Sequence, residues 1–335
     1  MDVFFYEAFE EERRALESCL PGHVQAGYTP QTAQEYGRPG PEAGLISIRT
    51  QSAIPLEWAR SLDGILSRST GYDHLERFLA ESGAAVPCGY LPLYCSRSVA
   101  EHAALLWLAL LRRLSVQRQS LERFHRDGLT GRECENKVLL VVGVGNIGSE
   151  VLRIGRGLGM KGIGVDIVER HPSVPYVSLE EGLAAADVIV CAMNLTADNA
   201  GYFGYGTLSR AKAGAVFVNV ARGEFSPSGD LLRLLDEGRL GGVGLDVYDG
   251  EPELAVALRA GKTPEDEGVG ATLRLAGHPD AILTPHNAFN TTEAVERKAL
   301  HSAEQVEAFL RDGRFRWPIP PQEDPTGVTA GRAQT

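Results

Sequence analysis

Cysteine is scarce and scattered in this chain: five residues in 335, with no pair closer than Cys88 and Cys95. That spacing excludes a CxxC redox site, and the odd, dispersed set gives neither metal-ligand spacing nor an even disulfide framework. A reducing, cytoplasmic compartment fits best. Long hydrophobic runs are missing too. The longest, "AALLWLALL" from Ala103 to Leu111, is too short to span a bilayer. The N-terminus "MDVFFYEAFEEE" is apolar only from Val3 to Tyr6 and has no basic leader, so a signal peptide is not expected. Positive charge is also in deficit, with 33 basic against 44 acidic residues and a net charge of −11. A general affinity for nucleic acid or for an anionic membrane surface is therefore excluded, and any anionic ligand must be held by a few local arginines.

What is present is a βα alternation. "VFFYEA", "GLISIR", "GILSRS" and "AAVPC" read as strands, with "EEERRALESCL" and "HLERFLAES" as helices among them. "SVAEHAALLWLALLRRL" is apolar nearly all round, the mark of a helix buried in a large protein or at a subunit contact. A second series then begins at Lys137, with strands "KVLLVVGV", "GIGVDI", "DVIVCAM", "AVFVNVA", "GGVGLDVY" and "AILTP". A closing helix is expected over roughly 291–311. Two doubly wound parallel-sheet α/β domains follow from this pattern. The Pro-, Gly- and Thr-rich tail, 319–335, has no period and is expected to be disordered.

"VVGVGNIG" places G-x-G-x-x-G at Gly143, Gly145 and Gly148, after a strand and opening a helix. The first glycine suits a tight turn, the second a close approach of pyrophosphate, and the third close helix packing. Asn146 and Ile147 fall in the first helical turn, where free N–H groups and positive potential favour an anion. Asp166 ends the next strand, 18 residues past Gly148, where a carboxylate would take the ribose hydroxyls of NAD and repel the 2′-phosphate of NADP.

Ligands of open α/β sheets bind outside the carboxyl ends of the strands. Gly145, Asp166, Asn194, Arg222, Asp246 and His286 all fall at such ends. Taken singly, each has a bland reading, as a surface Arg, a strand-end Asp or a core His. Together they point at one crevice. A guanidinium such as Arg222 is the natural fork for an α-carboxylate. A histidine such as His286 can give a proton to a carbonyl oxygen as hydride reaches the carbon, with a carboxylate, Glu251 in the loop "YDGEP", orienting its other ring nitrogen. The other histidines, His102 and His278 among them, are expected to matter far less.

The segments "RSTGYDHLE", "SVAEHA", "VVGVGNIGSEV", "GVDI", "NVARG", "GGVGLDVYDGEP" and "LTPHNAF" together resemble the D-isomer-specific 2-hydroxyacid dehydrogenase family, from about Leu45 to Leu310. "LTPHNAFNTTEAV" looks most like its D-lactate dehydrogenase branch, which includes the vancomycin-resistance type of 2-oxoacid reductase. The resemblance implies Arg222, Glu251 and His286 as the catalytic Arg, Glu and His, with Asp246 holding the nicotinamide carboxamide. It also implies that the backbone at Thr70 and Gly71 meets the substrate carboxylate, and that Tyr94 and Phe289 line the pocket. A Rossmann domain (99–289) would be inserted in a flavodoxin-like substrate domain (1–98 and 290–318), with a homodimer formed through the inserted domain. Asn194 and Ser226–Pro227 depart from the family's pattern, as do Cys95 and Ser96, which puts the substrate in question more than the reaction. Arg49 resembles an arginine that phosphoglycerate-type members use for a dianionic substrate, so that activity is the alternative, as is an NADH-sensing corepressor of the same family.

Overall fold

The computed structural model describes residues 1–196, 198–259, 261 and 267–320. The chain divides into two compact units, one formed by Met1–Tyr94 with the chain from Val295, the other by Cys95–Ala294. The second unit begins and ends a few residues outside the 99–289 expected for it. The helix Ser96–Leu111 belongs to that unit from its first turn, where Ser98 Oγ donates to the carbonyls of Cys95 and Phe289.

The first unit is a five-stranded parallel sheet of β1 (Val3–Phe5), β2 (Ala26–Tyr28), β3 (Leu45–Ile48), β4 (Gly64–Ser67) and β5 (Cys88–Gly89). Its order, β2-β1-β3-β4-β5, is that of flavodoxin-like sheets. Tyr6, Ile46, Ile65, Trp58 and Phe78 fill one face. The strands β3 and β4 are buried at every position, as expected of parallel strands covered on both faces. β2 has no counterpart in the sequence reading: "AGY" is three half-buried residues at a sheet edge, too short to show a period.

The second unit holds β6 (Val138–Val142), β7 (Lys161–Val165), β8 (Val188–Cys191), β9 (Ala215–Asn219), β10 (Leu240–Leu245) and β11 (Ala281–Leu283), all parallel. The order is β11-β10-β9-β8-β6-β7, and beyond β7 Tyr176 makes a single parallel bridge to Gly164. Counting that bridge as a shrunken third strand gives 3-2-1-4-5-6, the order of dinucleotide-binding sheets, with β11 added as a seventh strand beyond the sixth. Trp107, in the apolar helix Ser96–Leu111, is fully buried within its own chain, whereas Leu105 of the same helix is 56% exposed. Glu251 does not lie in a loop. It is the first residue of the helix Glu251–Arg259. The expected tail, from residue 321 onward, lies outside the described residues.

One buried ionic cluster ties the first unit together. Glu12 Oε1 accepts from Arg68 Nε at 2.8 Å and lies 3.0 Å from Lys298 Nζ, and all three side chains are almost wholly buried. Arg68 also donates to Ser47 Oγ and to the Tyr6 carbonyl, so α-helix, two strands and the closing helix Thr292–Asp312 share it. Burial alone would raise Glu12's pKa, but Lys298, Arg68 and Arg49 outweigh it and hold the carboxyl at about 2. Burial draws Lys298 down to about 8 in spite of Glu12. A folded pKa below the ordinary 4.5 means that this carboxylate favours the folded state above that pH and loses its contribution as pH falls toward 2. Glu12→Gln is expected to cost about 3–5 kcal/mol near neutrality, because it leaves buried cations without their anion. The variant's stability, followed by urea unfolding across pH, should also fall less steeply in acid. Equal acid slopes for the two proteins would show that the cluster contributes nothing there.

Candidate active site

The glycine loop is built as a cradle. Gly143 has φ +92°, and a Cβ there would stand 2.6 Å from the Ala192 carbonyl carbon. Gly148 packs so closely on the Gly143 carbonyl that any side chain would collide with it. Around Gly145 the space is open, with nothing within 4 Å of where a Cβ would be. Gly145 caps the helix Asn146–Gly157, so the first turn of that helix, with Asn146 and Ile147, stands at the opening. Asp166 follows β7 and accepts from Val144 N through Oδ2 at 2.6 Å and from Val168 N through Oδ1 at 3.0 Å. A carboxylate has about four acceptor positions, so two remain for ribose hydroxyls. An open backbone cradle beside a strand-end acid fits a dinucleotide. Asn194 lies exposed past the end of β8, its carbonyl accepting from Asn199 Nδ2 at 3.0 Å.

Arg222 begins the turn after β9, and a residue that sequence reasoning missed shapes that turn. Asn219 is fully buried; its Nδ2 donates to the Arg222 carbonyl and to Ser226 Oγ, both at 2.8 Å, and its Oδ1 accepts from Ala221 N at 3.0 Å. Ser226, an oddity against the family pattern, thus has a partner that an apolar residue could not supply. The only signal in the sequence was an Asn ending an otherwise apolar strand. Gly223 allows no side chain, since a Cβ would run into the backbone carbonyl of Tyr248. The Arg222 turn is therefore seated against the loop that leads to Glu251.

Asp246 follows β10 and β11 leads to His286, and parallel pairing of the two strands brings these ends together. His286 Nδ1 lies 2.6 Å from Glu251 Oε1, with both side chains largely screened from solvent. His286 itself has φ +51°, a left-handed conformation that a non-glycine residue holds only when its surroundings fix it. They do: Asp246, 1% exposed, accepts from Asn287 N and Ala288 N at 2.8 Å each and from Thr284 Oγ1 at 2.6 Å. The Thr284 carbonyl accepts from His286 N and from the Tyr248 hydroxyl. Burial, then the charges of Asp246 and Glu251, push that hydroxyl well above the usual range, so it stays a donor. Three of Asp246's acceptor positions are occupied by this loop, which leaves about one for a carboxamide. The Phe289 ring stands edge-on to His286, centroids 6.5 Å apart.

In the first unit, Thr70 and Gly71 lie in a braced turn after β4. Thr70 Oγ1 donates to the Leu91 carbonyl at 3.3 Å, and Ser69 Oγ to the Gly71 carbonyl at 2.7 Å. Tyr94 is buried, its ring centroid 5.8 Å from Lys298 Nζ. Arg49 donates its backbone N–H to Glu7, and its guanidinium lies over the Phe9 ring, 5.7 Å from the centroid.

Residues 104–288 match the family model described as D-isomer specific 2-hydroxyacid dehydrogenase, NAD binding domain. A D-lactate dehydrogenase of Streptococcus agalactiae is 32% identical over 72% of this chain and 74% of its own. An aromatic 2-oxoacid reductase of Clostridium sporogenes is 32% identical over 69% of the chain and 70% of its own. Among solved structures, a D-lactate dehydrogenase of Aquifex aeolicus, complexed with NAD and lactic acid, superimposes with a TM-score of 0.81. That match has 27% identity and covers 95% of this chain and 99% of the other.

Proposed function

The chain belongs to the D-isomer-specific 2-hydroxyacid dehydrogenase family, and from that premise we propose how its residues carry out the NAD-dependent interconversion of a small 2-oxo acid and its D-2-hydroxy acid. The nicotinamide, when bound, supplies or accepts the hydride. Arg222 grips the substrate carboxylate through its planar fork and polarises the neighbouring carbonyl. In its protonated ring His286 has a proton on both nitrogens: Nδ1 donates to Glu251, and Nε2 gives its proton to the carbonyl oxygen during reduction. In the reverse direction the same nitrogen takes the hydroxyl proton. Asp246 holds the loop, Asp166 and Gly143 to Gly148 hold the dinucleotide, and Thr70, Gly71 and Tyr94 keep the roles that the family resemblance implies for them. The observation that supports this most directly is the 2.6 Å pairing of His286 with Glu251 at the carboxyl edge of the dinucleotide-binding sheet.

An apolar substituent on the substrate is favoured. Phe289 sits edge-on to His286, while the Arg49 guanidinium is engaged over Phe9. An apolar pocket separates substrates by only about 1–3 kcal/mol per methylene. Pyruvate, 2-oxobutyrate and larger apolar 2-oxo acids should therefore all be reduced with NADH, ahead of oxaloacetate and 3-phosphohydroxypyruvate. The measurement is kcat/KM across that panel, before and after Arg49→Ala. A dianionic substrate leading tenfold, with its lead lost in the variant, would overturn the apolar choice. The same preparation should sediment as a homodimer. Leu105, Leu114, Leu121 and Phe124 of the inserted domain, each 45–78% exposed, are suited to a partner copy. Five free thiols agree with a cytoplasmic location.

A further inference from the structure

We propose that His102 is a positioning residue for catalysis, acting through Thr284 and Asp246 on the loop that holds His286. The inference rests on the function proposed above and reverses the sequence expectation that His102 is ordinary. His102 is the last polar residue of the helix Ser96–Leu111 before its apolar run Ala103–Leu111, and a largely buried imidazole needs a partner. Its Nε2 lies 2.9 Å from Thr284 Oγ1 and 3.5 Å from Asp246 Oδ1.

The directions of these bonds follow from counting protons. The Thr284 hydroxyl has one, and Asp246 Oδ1, a carboxylate oxygen at 2.6 Å, is its strongest acceptor. Toward His102 the hydroxyl must then accept, so the imidazole bears its proton on Nε2. The result is an ordered chain in which His102 donates to Thr284 and Thr284 donates to Asp246. Asp246 in turn holds the N–H groups of Asn287 and Ala288. Hydrogen bonds in such a chain polarise one another. The chain ends on the two peptide groups that follow His286, whose left-handed φ depends on them.

Without His102, the Thr284 hydroxyl has a second acceptor ready, the Leu245 carbonyl at 3.4 Å. The bond to Asp246 would lose the donor that polarises it, the Leu245 carbonyl would compete for the same proton, and Asp246's hold on the loop would loosen. The substrate carboxylate, gripped by Arg222 from another strand end, would be bound as before. His102 therefore acts on the proton-transfer step and leaves substrate affinity alone.

The test uses the full-length protein with NADH, and compares His102→Leu with His102→Gln, whose amide can donate from nearly the same place. His102→Leu should lower kcat by about 10–100-fold, because small misplacements of reacting groups cost that much. KM for the 2-oxo acid and the Kd for NADH should stay within about twofold. The solvent deuterium effect on kcat should rise as proton transfer becomes limiting, and His102→Gln should recover most of the loss. Thr284→Val should reproduce the leucine variant, and the double variant should be no worse, as expected of one chain. Should His102→Leu fail to fold, Thr284→Val decides. A structural readout is independent of turnover: amide exchange at Asn287 and Ala288 should quicken in His102→Leu and not in His102→Gln. Unchanged exchange with unchanged kcat overturns the inference, as does a loss shared equally by kcat, KM and NADH affinity with no rescue by glutamine. If the unaltered protein reduces no 2-oxo acid, the proposed function fails instead, and the exchange measurement still judges the chain of bonds.

Discussion

His286→Ala is expected to lower kcat by about 10²–10⁴-fold, the range a positioned general acid–base typically contributes. NADH affinity should be nearly unchanged, because the glycine loop and Asp166 are built on β6 and β7 and owe nothing to the ring. Glu251→Gln should give a smaller loss. A neutral amide can still meet Nδ1 at the observed distance, but it cannot offer the charge that complements an imidazolium. The pair of results separates orientation from charge. Turnover near that of the unaltered enzyme in His286→Ala would remove the histidine from the mechanism and leave Arg222 as the main chemical group.

NAD should be preferred to NADP by one to three orders of magnitude in kcat/KM, roughly 1.4–4 kcal/mol. The added phosphate would meet the Asp166 carboxylate at close range and displace its bonds to the ribose. Asp166→Ala should erode the preference chiefly by weakening NAD. The structure adds a second cost: Asp166 also accepts from Val144 N, inside the glycine loop, so its removal loosens the pyrophosphate cradle as well. Affinity for both cofactors should therefore decline somewhat, with NAD losing more. Equal kcat/KM for the two cofactors in the unaltered protein would refute the role of Asp166.

The elements that the sequence made legible are those whose pattern is local. Six apolar strands, the glycine loop, and strand-end residues such as Asp166, Arg222 and His286 could all be located from runs and spacings. Less legible was whatever depends on partners distant in the chain. Asn219 shows its purpose only through Arg222, Ala221 and Ser226, which fold back on it. Glu251 read as a loop residue because the helix it opens is short and follows directly on a turn. His102 and Thr284 are 182 residues apart, so nothing in either neighbourhood announces their bond. Glu12 stands in the middle of five consecutive charged residues, Glu10 to Arg14, and nothing in that run separates it from its neighbours; only the fold buries it.

The Glu12–Arg68–Lys298 cluster also bears on the order in which the protein is made. Lys298 leaves the ribosome 286 residues after Glu12, which at about 5–20 residues per second is a delay of roughly 14–57 s. The unit Cys95–Ala294 is one continuous stretch and is complete before Lys298 emerges. The unit begun first is therefore finished last. For that interval the nascent N-terminal sheet has Glu12 and Arg68 but neither the ammonium nor the closing helix that bury them. Nearly the whole chain must be translated before this half of the enzyme becomes stable.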